Sequence, residues 1–297
     1  MRGFSLYVVH YLSLVLLLAL TNQAMASEVT WPRMADSADG VPIAYEVRGS
    51  GKPTLVFIHG WSCDGRYWRG QLPHFSRQHR VVAIDLAGHG HSGQKRESFT
   101  VPAFGEDVKA VLDDLEVEQA ILIGHSMGGP VSVEAARLFP KRVIGIIGVD
   151  TFHHVNSEIT QAQLDGMLVP LQQDFAPAAQ QFVASMFIES TDPNLRDWVM
   201  RDMAASPSQV AISAMDDMLS RHADGEAAQR FEELAVPVFS INADLWPTEV
   251  EANQELLPEF DAVIMADTDH FLHMAKPVAF NRELERVIGT MTAEVDR

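Results

Sequence analysis

Ala120-Ile121-Leu122-Ile123-Gly124-His125-Ser126-Met127-Gly128-Gly129 carries the strongest fold signal in the chain. Residues 120–123 are apolar without alternation, the habit of a strand buried on both faces of a parallel sheet. A helical pattern follows over 131–138 and stops before Pro140. Between strand and helix lies G-x-S-x-G, and in that strand–turn–helix context the pattern is a nucleophile elbow. The glycines have a physical purpose. A serine held on a tight, strained turn needs neighbours without side chains, so that strand and helix can close beside it. The Ser126 hydroxyl then projects above the sheet, at a helix N-terminus whose dipole favours developing negative charge.

Outward from the elbow, further short apolar runs lie at 54–58, 81–84, 143–149, 236–241 and 262–265. Helical patterns separate them: Phe104, Val108, Val111, Leu112 and Leu115 form one apolar stripe. Strands alternating with helices predict a doubly wound, mostly parallel α/β sheet. The alternation breaks once, over 151–230, a stretch rich in Gln, Ala and Met that reads as short helices inserted between two strands. Most of its methionines are expected to be core of the insert, and a few to line a substrate cavity, because Met adapts to irregular apolar shapes.

Two other segments supply partners for the serine. His59-Gly60-Trp61 follows the run 54–58, where a backbone donor for a tetrahedral oxyanion is expected; the amides of Trp61 and Met127 are the candidate pair. Thr268-Asp269-His270-Phe271 follows the run 262–265, and from that loop His270 can hang over the elbow and accept the serine proton. The rival histidines are weaker. His125 should point away along the elbow, His273 falls at the start of the last helix, and His153 and His154 follow a strand end beside the pocket.

Through these motifs the chain resembles the α/β-hydrolase fold family, of the single-domain esterase type with a helical cap. The resemblance runs from about Gly40 to Gly289. It includes His59-Gly60, the loop Asp85-Leu86-Ala87-Gly88-His89-Gly90-His91-Ser92, the elbow, and His270 followed by Lys276-Pro277. It implies that the loop 85–92 braces the sheet and that the insert 151–230 is a cap over the site. The third triad member is where the chain departs from its relatives, which usually carry an acid a few residues beyond a glycine after the penultimate strand. Here that strand continues Asn242-Ala243-Asp244-Leu245-Trp246-Pro247, without the glycine and with Trp246 where the acid should stand. Asp244 is favoured, served by a shortened loop. Asp150, after the run 143–149, is the rival, because some relatives place their acid there.

The expected chemistry is cleavage of a small-molecule carboxylic ester through an acyl-enzyme, with no metal or organic cofactor required. Lactonase, amidase or C–C bond hydrolase activity on the same residues is the enzymatic alternative. A non-catalytic ligand-binding protein of the same fold is the other. The formal charge of −18 repels nucleic acid and anionic lipid. The only cysteine, Cys63, allows no disulfide within the chain. Residues 1–26 read as an export signal: Arg2, an apolar run over 12–20 interrupted only by Ser13, then Ala24-Met25-Ala26. The run is shorter than the ~20 residues that span a bilayer, so no stable membrane insertion is expected after cleavage. Removing 26 of the 297 residues leaves 271, expected in the periplasm or outside the cell. They divide into a core of 27–150 and 231–297 and the cap insert 151–230.

Overall fold

The apolar runs become neighbours in one sheet. A computed structural model describes residues 32–295, so the expected export signal lies outside the described residues. Eight strands, β1 (Arg33–Asp36), β2 (Pro42–Arg48), β3 (Thr54–Ile58), β4 (Val81–Ile84), β5 (Ala120–His125), β6 (Val143–Val149), β7 (Val238–Ala243) and β8 (Asp261–Met265), take the order β1-β2-β4-β3-β5-β6-β7-β8. Pairings from β4 through β8 are parallel, and β1 and β2 join by antiparallel pairings. This is the doubly wound, mostly parallel sheet of an α/β-hydrolase fold.

Alternate residues along the central strands feed two cores. Val56, Ile58, Leu122 and Ile146 enter one, while Leu55, Phe57, Ile121, Ile123 and Ile147 enter the other. That double burial is why these strands read as unbroken apolar runs. The edge strands β1 and β2 give no such run, because they mix exposed polar and buried apolar residues. β7 starts two residues after its apolar run begins. Pro237 has no N–H to donate to a ladder, although its carbonyl still accepts from Ile146 N–H at 3.0 Å.

The helix Val101–Asp114 is N-capped by Thr100, whose hydroxyl accepts from Ala103 N–H at 3.3 Å. The helix Gly128–Leu138 carries the elbow's C-terminal side. Between β6 and β7 the chain forms five helices, Gln161–Gln173, Phe175–Ala184, Pro193–Ala204, Ser208–Ala223 and Glu226–Glu232. The first opens with a capping box between Thr160 and Gln163. Loop 85–92 is tied to β2 by Ser92, whose hydroxyl accepts from Ala44 N–H at 2.8 Å, and is held together by Asp85, whose carboxylate accepts from the amides of Gly65 and His91, each at 2.8 Å.

Candidate active site

The elbow is built by close approach. Ser126 follows β5 with φ +51°, in the left-handed region that few non-glycine residues occupy. Its N–H donates to Val149 C=O at 3.0 Å, and its C=O accepts from Gly129 N–H at 2.9 Å. A Cβ on Gly124 would stand 2.1 Å from the carbonyl oxygen of Gly128, so strand and helix could not pass there with any side chain between them. Strain at a nucleophile, held by surrounding hydrogen bonds, is a recurrent feature of functional turns.

The loop after β3 crosses directly beside the elbow. A Cβ on Gly60 would lie 2.8 Å from His125 Nδ1 and 3.2 Å from Ser126 Cβ. The His59 ring clamps this loop: Nδ1 donates to Gly60 C=O at 2.8 Å, and Nε2 accepts from Leu86 N–H at 3.0 Å. Trp61 reaches the insert, donating its indole N–H to Ala211 C=O at 2.7 Å and meeting Phe182 edge-on at 5.7 Å. Among the described residues, the amides of Trp61 and Met127 have no hydrogen-bond partner. They are therefore available as a donor pair on either side of Ser126.

His270 lies on the loop after β8. Its backbone N–H donates to Met186 C=O of the insert at 3.2 Å, and its Nδ1 donates to Asp150 Oδ2 at 2.5 Å. The carboxylate that meets His270 is thus Asp150 and not the favoured Asp244. Asp244 turns toward the loop before His270, accepting from the amides of Asp267 at 3.0 Å and Thr268 at 3.2 Å. Those amides hold its carboxyl below the ordinary range. The sheet order explains the difference: β6 pairs with the elbow strand β5, whereas β7 is one strand further away. From the β7 loop it is the ring of Trp246 that faces His270, at 5.5 Å.

Asp150 is buried at 2 % exposure and has φ +46°. Its second oxygen accepts from Ala243 N–H at 2.8 Å, and His153 Nε2 stands 3.7 Å away. Burial pushes its carboxyl upward, but His153 and His270 outweigh that and keep it well below the usual carboxylate range. It is therefore an anion at any moderate pH, oriented from three sides. The contact with His153 was not legible in the sequence beyond the placement of that histidine beside the pocket.

Two other histidines back His270. His125 Nε2 donates to His270 C=O at 2.9 Å, and burial together with the neighbouring imidazoles pushes it far below the ordinary imidazole value. His273 sits in a short turn of helix ahead of the last one, and burial, then His270, push it down to about 3. Both are neutral near pH 7.

Ser126 and His270 line the same cavity of about 500 Å³. No direct hydrogen bond joins them among the described residues; such contacts often tighten only with substrate in place. Met167, Met186, Met218, Phe182 and Phe231 make much of the wall apolar, and His153 and His154 also line it. Met203 and Met215 face a smaller neighbouring space beside Trp61 and Cys63. Among the described residues, no group of three or more His, Cys, Asp or Glu is placed to hold a metal ion. No helix there is long and apolar enough to cross a membrane.

Comparison with known proteins agrees with this fold. A dihydrolipoyllysine-residue acetyltransferase component of the acetoin cleaving system from Pseudomonas putida is 39 % identical over 102 residues. That match covers 34 % of this chain, which spans only 28 % of that longer protein. The 3-oxoadipate enol-lactonase 2 of Acinetobacter baylyi is 25 % identical over 260 residues, covering 85 % of this chain and 95 % of the relative. A thermophilic esterase from Thermogutta terrifontis superposes with a TM-score of 0.76 at 20 % identity, over 88 % of this chain and 99 % of the esterase, a likeness of fold. The family model described as alpha/beta hydrolase fold matches residues 53–196, which carry the loop at 59–61, the elbow and Asp150. With its eight-stranded sheet and its elbow, the chain belongs to the α/β-hydrolase fold family.

Proposed function

We propose that this protein is a serine hydrolase that cleaves carboxylic esters through an acyl-enzyme, with Ser126 as nucleophile, His270 as general base and Asp150 as the orienting acid. The observation that carries the reading is the 2.5 Å contact between His270 Nδ1 and Asp150 Oδ2 beside a strained serine in the same cavity. Asp150 fixes the tautomer whose Nε2 is free to accept the hydroxyl proton. Ser126 Oγ bonds to the ester carbon, and the oxyanion takes hydrogen bonds from the amides of Trp61 and Met127. His270 returns the proton to the leaving alcohol, and water, deprotonated in turn by His270, releases the acid. The insert 151–230 acts as the cap over the acyl pocket. The enol-lactonase similarity supports a cyclic ester as a second substrate form, because ring opening is the same acyl transfer. Export to the periplasm or beyond belongs to the same proposal and rests on residues 1–26.

Ser126→Ala tests the reaction. Loss on the order of 10⁴ or more in ester hydrolysis is expected, because triad members act as a unit. A fluorophosphonate should add to wild-type Ser126 and not to the variant. A folded wild-type protein that neither labels nor turns over any ester supports the ligand-binding reading instead.

A further inference from the structure

The proposed reaction leaves unused a group of charges at the end of the cavity. Pro130, Val133 and Glu134, one face of the helix that leaves the elbow, line the cavity along with Ser126. From Gly128 to Glu134 that helix rises about 9 Å, so Glu134 stands roughly one medium acyl chain away from the nucleophile. Glu134 is 7 % exposed and meets two arginines of the insert, Arg221 at 3.6 Å and Arg230 at 3.7 Å, both of which also line the cavity. Neither arginine is free. Arg221 also pairs with Asp217 at 3.1 Å and Glu226 at 2.8 Å, while Arg230 also pairs with Glu226 and Glu233, each at 3.1 Å. Arg137 adds a third guanidinium, held by Glu134 at 2.8 Å and Glu233 at 3.1 Å. Carboxylates Glu134, Asp217, Glu226 and Glu233 thus outnumber guanidiniums Arg137, Arg221 and Arg230 by one.

We infer that the proposed esterase selects acyl chains that are uncharged at their far end, and that Glu134 sets this selectivity by neutralising Arg221 and Arg230 at the end of the cavity. An acyl chain ending in a carboxylate would meet arginines whose charges the surrounding acids already balance, although the buried Arg230 Nε has no hydrogen-bond partner. It would have to shed its hydration without gaining a free cation, at a site whose net charge is negative. An alkyl terminus instead ends among the Met167, Met218 and Phe231 side chains that line the same space. The chain's formal charge of −18 disfavours anionic substrates over the whole approach as well.

This inference rests on the proposed ester chemistry, and its test separates the two. The p-nitrophenyl esters of octanoic acid and of suberic acid (as the monoester) differ only in an ω-carboxylate. Wild type should favour the octanoyl ester by at least about tenfold in kcat/KM. Glu134→Gln should shift the ratio toward the carboxylate-ended ester by about tenfold. Glu226→Gln, which leaves the core helix untouched, should shift it in the same direction if Glu134→Gln fails to fold. Calorimetric titration of Ser126→Ala with methyl octanoate and monomethyl suberate reads the same discrimination without turnover. Discrimination in binding without hydrolysis by wild type would overturn the reaction and keep the selectivity. Equal handling of both ligands by wild type would overturn the selectivity, as would ratios that neither substitution moves.

Discussion

Replacing Asp150 by Asn should stop the reaction by reversing a single ring tautomer. Asp150 Oδ1 accepts from Ala243 N–H at 2.8 Å, so an Asn at this position must turn its carbonyl oxygen to that amide. Its NH₂ group then faces His270 Nδ1, where the carboxylate stands now at 2.5 Å. A ring nitrogen facing a donor becomes the acceptor, and the proton moves to Nε2. His270 would then present an N–H to Ser126 and could not take its proton. Loss of an orienting Asp in this way costs on the order of 10⁴ in rate, equivalent to about 5 kcal/mol of transition-state stabilisation. Asp244→Asn is the matched control, because its carboxylate accepts from the amides of Asp267 and Thr268 and makes no hydrogen bond to His270 among the described residues. That variant should stay within about threefold of wild type, a surface substitution away from the reacting atoms. Both are assayed on p-nitrophenyl butyrate at pH 8, with folding checked by circular dichroism. A folded Asp150→Asn within tenfold of wild type would refute the argument. So would a collapse of Asp244→Asn of similar size.

Three further outcomes follow from the same geometry. Gly60→Ala should lower kcat by about 10²–10³, the size of a lost oxyanion donor, because its Cβ would lie 2.8 Å from His125 Nδ1 and force the loop carrying Trp61 away; unchanged steady-state kinetics would count against Trp61 as a donor. His273 is neutral in the fold down to about pH 3 but takes up a proton in the unfolded chain below its ordinary value of 6.5. The unfolded state therefore binds more protons between about pH 3 and 6.5, and stability falls as pH falls through that window. Thermal unfolding should show this decline, and His273→Phe should flatten it; identical slopes would assign the decline to other groups. N-terminal sequencing of protein expressed from Met1 in a bacterial host should begin at Ser27 in the periplasmic fraction, and a chain beginning at Met1 in the membrane fraction would contradict the proposed export signal.

The sheet's centre and the positions of Ser126 and His270 at strand ends were legible in the sequence. The runs 54–58, 81–84 and 143–149 match their strands residue for residue, since burial on both faces leaves no room for polar residues and so writes itself into composition. Ser126, Gly60 and His270 were legible for a related reason. Each stands in a local pattern of the chain, a glycine or serine in a turn just after an apolar run, or a histidine just beyond a strand end, even though its contacts come from distant segments. Which carboxylate meets His270 depends on the tertiary structure. Asp150 and Asp244 both follow strands, and nothing local separates a carboxylate that meets His270 from one that caps the loop at 267–268. That choice depends on β6 lying beside β5 and on Asp150 turning back with a positive φ, both properties of the assembled sheet. The charges at the end of the cavity were hidden for the same cause. Glu134 meets Arg221 and Arg230 across some ninety residues of chain, and an ion pair between distant segments leaves no period or motif for a sequence to display.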